Sequence, residues 1–202
     1  MVDIVKTEKI TINTDEKSIQ HTNHSKKLFY NTDGFSNNKQ YVAFIKSVEK
    51  TIRGSVEYRE WTSYLREACG AIDCKITHET VEDCTIEIHH YPFNLFQLVD
   101  ICIETKMQNK EKFSTFDIAN EVMSWHFRDI VGYIPLISSL HEKYHNGLLQ
   151  IPLWAVSGNW KTILSEFSVP EEVRDAIASF RNIATFEGVP TMWEDGILKE
   201  GA

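Results

Sequence analysis

The sequence predicts an α+β fold dominated by helices. Apolar residues recur at helical spacing in four separate segments, while two short stretches, 84–90 and 133–137, carry the alternation or apolar clustering of strands. The chain of 202 residues, 42% hydrophobic and 25% charged, has the composition of a folded globular protein.

Taken in order, 2–13 with Ile4, Lys6, Ile10 and Ile12, and then 27–30, suggest two short strands among loops rich in Asn, Ser, Thr and Asp. Val42, Ile45, Val48 and Ile52 place a helix over 40–52. Tyr58, Trp61, Tyr64, Leu65 and Ala68 place a second over 55–69, with Gly54 between them and Ser55 suited to cap it. A turn-rich stretch leads to the strand 84–90, which Pro92 ends. Leu95, Leu98, Val99, Cys102 and Ile103 make an amphipathic helix over 94–106, and Ile118, Val122 and Trp125 another that begins at Ser114 or Thr115.

The apolar run 133–137 reads as a second strand, held to an edge or bulge by Pro135. A short helix from Ser138 or Ser139 carries His141 and His145 and stops at Asn146-Gly147, where a left-handed residue is cheapest for Gly or Asn. Segment 148–160 has no clear period. Pro170, Glu171 and Glu172 open a helix to about residue 180, and the residues from 187 onward read as a peripheral tail.

The charge and composition exclude several classes. No apolar run approaches the roughly 18 residues of a membrane span, and the N-terminus is too polar for a secretory signal, so a cytoplasmic setting with no membrane partner is expected. Four cysteines lack the density of a disulfide scaffold. A formal net charge of −8 works against the broad phosphate attraction of non-specific nucleic-acid binders.

The chemistry lies in the histidines. His141 and His145 are four apart, so on a helix their rings share a face with Cβ atoms about 6 Å apart, suited to one metal ion. His89 and His90 are strand neighbours and project to opposite faces unless the strand ends there; Pro92 puts that end close by.

Together, Glu87-Ile88-His89-His90 and His141-Glu142-Lys143-Tyr144-His145, with Gly147 after them, resemble the HNH family of bacterial colicin DNases and phage endonucleases. The stretch 53–147 is also similar to phage-encoded HNH-like proteins. The resemblance implies a ββα-metal (HNH-like) core with additional surrounding helices. The implied boundaries are 1–52 for N-terminal strands and first helix, 53–150 for the core with a helical insertion, and 151–202 for a C-terminal extension. It implies that His89, His141 and His145 hold one divalent metal (Mg²⁺, Mn²⁺, Ni²⁺ or Zn²⁺), that His90 is the general base, and that Glu87 steers an imidazole or a basic side chain. Two departures stand out: the family's central asparagine position falls on Gly132, and the span from His90 to His141 is longer than in compact members.

His126 lies in that longer span and reads mainly as a packed aromatic, with a ligand role as the alternative. His78 lies in a turn, and His21 and His24 in a polar loop. Cys69 and Cys74 have no second pair, since Ile137 and Leu140 occupy its places, so free cysteines are expected rather than a zinc site. Trp61, Trp125, Trp154, Trp160 and Trp193 are read as packing residues.

The function the resemblance implies is metal-dependent hydrolysis of DNA phosphodiester bonds in a phage-infected bacterium. The alternative is a non-catalytic HNH-fold module of a phage that binds a host or phage protein, favoured by Gly132 and the acidic balance. A hydrolase of another phosphoester is a third reading.

Overall fold

In a computed structural model of the chain, the described residues are Tyr30, 34–179 and four short strands between 184 and 198. The order is α1 (Asn38–Gly54), α2 (Val56–Glu67), β1 (Ile86–His90), α3 (Leu95–Gln108), α4 (Thr115–Phe127), β2 (Tyr133–Ile137), α5 (Ser138–His145), α6 (Lys161–Glu166) and α7 (Glu171–Ser179). The fold is α+β. The strand expected at 2–13 lies outside the described residues, as does 27–29; Tyr30 forms an isolated antiparallel bridge with Phe113. Between 184 and 198, a span that includes most of the stretch read as a tail from 187 onward, lie two backbone hairpins, β3 (Ala184–Phe186) with β4 (Val189–Thr191) and β5 (Trp193–Glu194) with β6 (Ile197–Leu198).

The helix starts follow from local chemistry. Asn37 and Ser55 accept hydrogen bonds from the backbone N–H groups of Gln40 and Tyr58. Asn94 with Gln97, and Ser114 with Asp117, form reciprocal capping boxes that satisfy orphan donors in the first turn. Ser114→Ala is expected to lower stability by about 1 kcal/mol, read as a shifted urea midpoint at unchanged slope. Helix α6 has no counterpart in the sequence reading: its six residues are too few to display a period, and it is held by burial of Ile163.

β1 and β2 pair antiparallel, with Glu87 opposite Leu136, His89 opposite Ile134 and His90 opposite Tyr133. Pro135 is accommodated because its carbonyl faces away from β1 and accepts from the Lys75 N–H at 2.9 Å. In an antiparallel ladder the N–H and C=O of one residue point the same way, so the donor that proline lacks is not missed by β1.

The largest apolar cluster is helical. Ile45, Val48 and Ile52 of α1 meet Leu98, Val99 and Cys102 of α3 and Ile118, Val122 and Trp125 of α4, with Trp160 and Ile163 closing one side. The α3–α4 segment, read from sequence as an insertion into a strand-centred core, is therefore itself the main core. Each such side chain contributes roughly 1.5–3 kcal/mol on burial, so the segment is integral. A second cluster joins Ile86, Ile134 and Leu136 of the hairpin to Leu140 of α5 and to Cys74, Ile76 and Ile151. A third, smaller one sets Trp61 and Leu65 of α2 against Tyr133. The hairpin is thus covered by α5 on one side and by α2 on the other.

Candidate metal centre

Strand alternation splits the Glu87-Ile88-His89-His90 motif between the two sides of the hairpin. Glu87 and His89 meet α5, whose residues 141 and 145 lie one turn apart on the face turned to β1. Ser138 begins α5 directly after β2, with its N–H bonded to the Thr85 carbonyl at 3.2 Å, so no linker loosens the angle between hairpin and helix. At the other end, Gly147 takes the left-handed φ of 71° that terminates α5.

His89, His141 and His145 each offer one ring nitrogen, and the three nitrogens lie within 4.8 Å of one another. His141 Nε2 is 2.9 Å from His89 Nδ1 and 3.0 Å from His145 Nε2. The Nδ1 of His141 is 2.7 Å from a Glu87 carboxylate oxygen. Because a carboxylate accepts, Nδ1 of His141 is the donor of this contact, which leaves Nε2 as the nitrogen turned toward the other two rings. One lone pair between two further imidazoles is a poor arrangement for hydrogen bonding alone, and a cation at about 2.0–2.1 Å from each nitrogen satisfies all three. The carboxylate behind a histidine ligand is the arrangement that orients such a ring and raises its basicity. The residues present therefore fit a divalent ion with three protein ligands, and the exposure of His145 leaves the fourth side reachable.

His89 is buried, and desolvation, with the His141 and His145 rings and the Arg53 charge adding to it, pushes its pKa down to about 3. A metal competes with no proton at that ring near neutral pH. Tyr144 packs across His89 with ring centroids 4.6 Å apart and fixes its plane. His89 Nε2 is buried with no hydrogen-bond partner among the described residues.

His90 occupies the opposite face. Its ring stacks on Trp61, with centroids 5.5 Å apart and planes 15° apart, and on Tyr58 at 5.9 Å. Its Nε2 lies 3.0 Å from Nε2 of His126, whose Nδ1 in turn lies 2.7 Å from the Val122 carbonyl. Only 5% of His90 is exposed, and burial holds its pKa well below the ordinary imidazole value. His126 is not one of the three clustered rings. Burial pushes its pKa down to about 4.

The pH consequence has a definite sign. An imidazole held neutral in the fold, with a folded pKa below the unfolded value of about 6.5, makes the unfolded chain bind more protons as pH falls. For His126 the contribution to stability is complete above about pH 6.5 and is lost progressively down to about pH 4. Denaturant unfolding in EDTA is expected to lose up to about 1.4 kcal/mol per pH unit per buried histidine across that window, and His126→Phe is expected to flatten the slope.

Gly132, the position to which the HNH resemblance would assign an asparagine, has no room for a side chain. A Cβ there would lie 2.1 Å from the Tyr91 carbonyl oxygen and 2.9 Å from Trp160 Cβ. The Tyr91 N–H donates to the Gly132 carbonyl at 3.0 Å, pinning the two backbones together.

His78 adopts a left-handed φ of 61° in the turn before β1 and does not join the histidine cluster; His21 and His24 lie outside the described residues. The four cysteines are free, with Cys74 and Cys102 buried and Cys69 exposed. Trp61, Trp125 and Trp160 are packed, Trp154 is 44% exposed, and the side chain of Trp193 lies outside the described residues. Sequence reasoning missed Tyr58, Trp61 and His126 as the surroundings of His90. The helical spacing of Tyr58 and Trp61 marked an apolar face, but carried no sign of what it covers.

No helix among the described residues is long and apolar enough to cross a membrane. No curated protein and no solved structure matches the chain significantly. The sequence profile that matches, over residues 1–201, is that of the bacteriophage G278-like virion proteins, with no match to an HNH endonuclease family. The chain therefore belongs to the bacteriophage G278-like virion protein family.

Proposed function

We propose that this chain is a metal-dependent phosphodiesterase of the ββα-metal type that acts on DNA. The observation that carries the reading is the convergence of His89, from a strand, with His141 and His145, from the helix that follows its partner strand, backed by the Glu87 carboxylate on His141. Three imidazole donors favour Zn²⁺ or Ni²⁺ over Mg²⁺, which prefers an oxygen shell.

When bound, the ion supplies Lewis-acid stabilisation of charge on the scissile phosphate and the leaving oxygen. His89, His141 and His145 would hold it, and Glu87 would keep the His141 ring turned toward it by accepting the Nδ1–H. In this reading His90, on the face of the hairpin opposite the three histidines, would take the proton of the attacking water, for which a neutral imidazole has the right protonation state. Its depressed pKa keeps it neutral across the physiological range, while making it a weak proton acceptor until charge develops beside it.

The test pairs plasmid cleavage with calorimetric metal titration. Metal-dependent cleavage that falls by about 10²–10⁴-fold in His90→Ala, with metal binding intact, supports the nuclease. Stoichiometric metal binding without cleavage by the folded wild type favours the second reading, a metal-stabilised, non-catalytic binding module of the virion. The burial of His90 beneath Tyr58, Trp61 and His126 is the observation that speaks for that second reading.

A further inference from the structure

We infer that His126 is a positioning residue that fixes His90 as its Nε2–H tautomer, leaving Nδ1 as the ring nitrogen that bears the lone pair. The inference rests on the nuclease reading for its catalytic meaning, but its physical content is independent of it.

One chain of hydrogen bonds sets the proton positions. The Val122 carbonyl can only accept, so His126 Nδ1, 2.7 Å away, must donate. His126 is buried and neutral at pH 7, with a pKa near 4, so its one proton is spent on that bond and its Nε2 carries only a lone pair. His90 Nε2, 3.0 Å from that lone pair, must then be the donor. A neutral His90 with its proton on Nε2 has its lone pair on Nδ1.

Packing removes the alternatives. His90 packs against both Trp61 and Tyr58, whose rings lie 5.7 Å from each other, and His126 stands edge-on to both, with planes 86° from Trp61 and 78° from Tyr58. A flip of the His126 ring would bring a carbon against the Val122 carbonyl and forfeit a buried hydrogen bond. The tautomer of His90 is thus set by a residue of α4, from the segment that lengthens the span between the two strands. This also bears on Gly132: where no side chain fits in the loop before β2, the ring is anchored from the other side by a helix.

The experiment is long-range ¹H–¹⁵N correlation on histidine-labelled full-length protein at pH 7.5 in EDTA, with the His90 ring identified by its loss in His90→Asn. The expected result is a single form of His90, protonated on Nε2 and unprotonated on Nδ1. In His126→Phe, which keeps an aromatic ring but no acceptor, the two His90 nitrogens are expected to shift toward the average of two tautomers. An Nδ1–H form in the wild type, or an unchanged single tautomer in folded His126→Phe, overturns the inference. The wild-type spectrum decides even where the variant does not fold. If the protein cleaves DNA, His126→Phe is expected to lower kcat by about 10²-fold at unchanged KM and metal affinity, as for a misplaced reacting group. A kcat equal to wild type overturns the positioning role. A wild type that cleaves nothing removes the nuclease reading alone, because the spectrum still decides the tautomer.

Discussion

Alanine at His141 is expected to weaken binding of Zn²⁺ or Ni²⁺ by more than about 100-fold, because the substitution removes the ring that links the other parts of the centre. His141 contacts His89 and His145 through Nε2 and Glu87 through Nδ1. Glu87→Gln leaves all three nitrogens in place and removes only the charge that orients one of them. Its expected loss is about 10–100-fold, the usual range for an outer partner of a ligand. Calorimetry measures both directly. Thermal unfolding gives an independent readout. Metal held at about 100 times its Kd should stabilise the wild type by about 2.7 kcal/mol, or about 5–10 °C in Tm, and His141→Ala should lose that shift. A metal-induced shift of the same size in His141→Ala would rule out the three-histidine centre.

Gly132→Ala is expected to cost about 3 kcal/mol or more, the largest effect anticipated from adding a single methyl group. The new Cβ would meet a backbone oxygen at 2.1 Å, and no rotamer can relieve a clash with backbone. Retreat of either chain segment breaks the Tyr91 N–H to Gly132 carbonyl bond at the point where β1 and β2 come together, and moves Tyr133, which pairs with His90. Gly132→Asn, which would supply the asparagine that the HNH resemblance assigns to this position, is expected to unfold the protein. Gly54→Ala provides the contrast: a methyl group there would find nothing within 4 Å, the residue ends α1, and a neutral or slightly stabilising change is expected. Equal urea midpoints for Gly132→Ala and wild type would refute the close approach.

Both expectations start from residues that could be singled out in the sequence, yet their magnitudes come from the fold. The same holds for the pair His89 and His90. That neighbours on a strand point to opposite sides follows from the period of two alone. What each side contains does not. α5 supplies two further imidazoles and a tyrosine to one ring, whereas α2 and α4 supply Trp61, Tyr58 and His126 to the other.

The local pieces are legible in the chain before any folding is considered. Helical periodicity marked α1 to α4, capping residues marked the starts of α2 and α4, Pro170 with Glu171 and Glu172 marked the start of α7, alternation marked β1, and an Asn-Gly pair marked the end of α5. Such features are legible because they depend on interactions within a few residues: a side chain on a nearby N–H, or apolar groups repeating along one face. The fourfold spacing of His141 and His145 belongs with them. Tertiary structure alone decided that α3 and α4 form the main core, that Gly132 has no room for a side chain, and that His126 pairs with His90 rather than with the other three rings. Each of these is a contact between residues tens of positions apart in the chain, made when apolar faces find one another. A pattern of spacing records that a face exists, and packing decides what it meets.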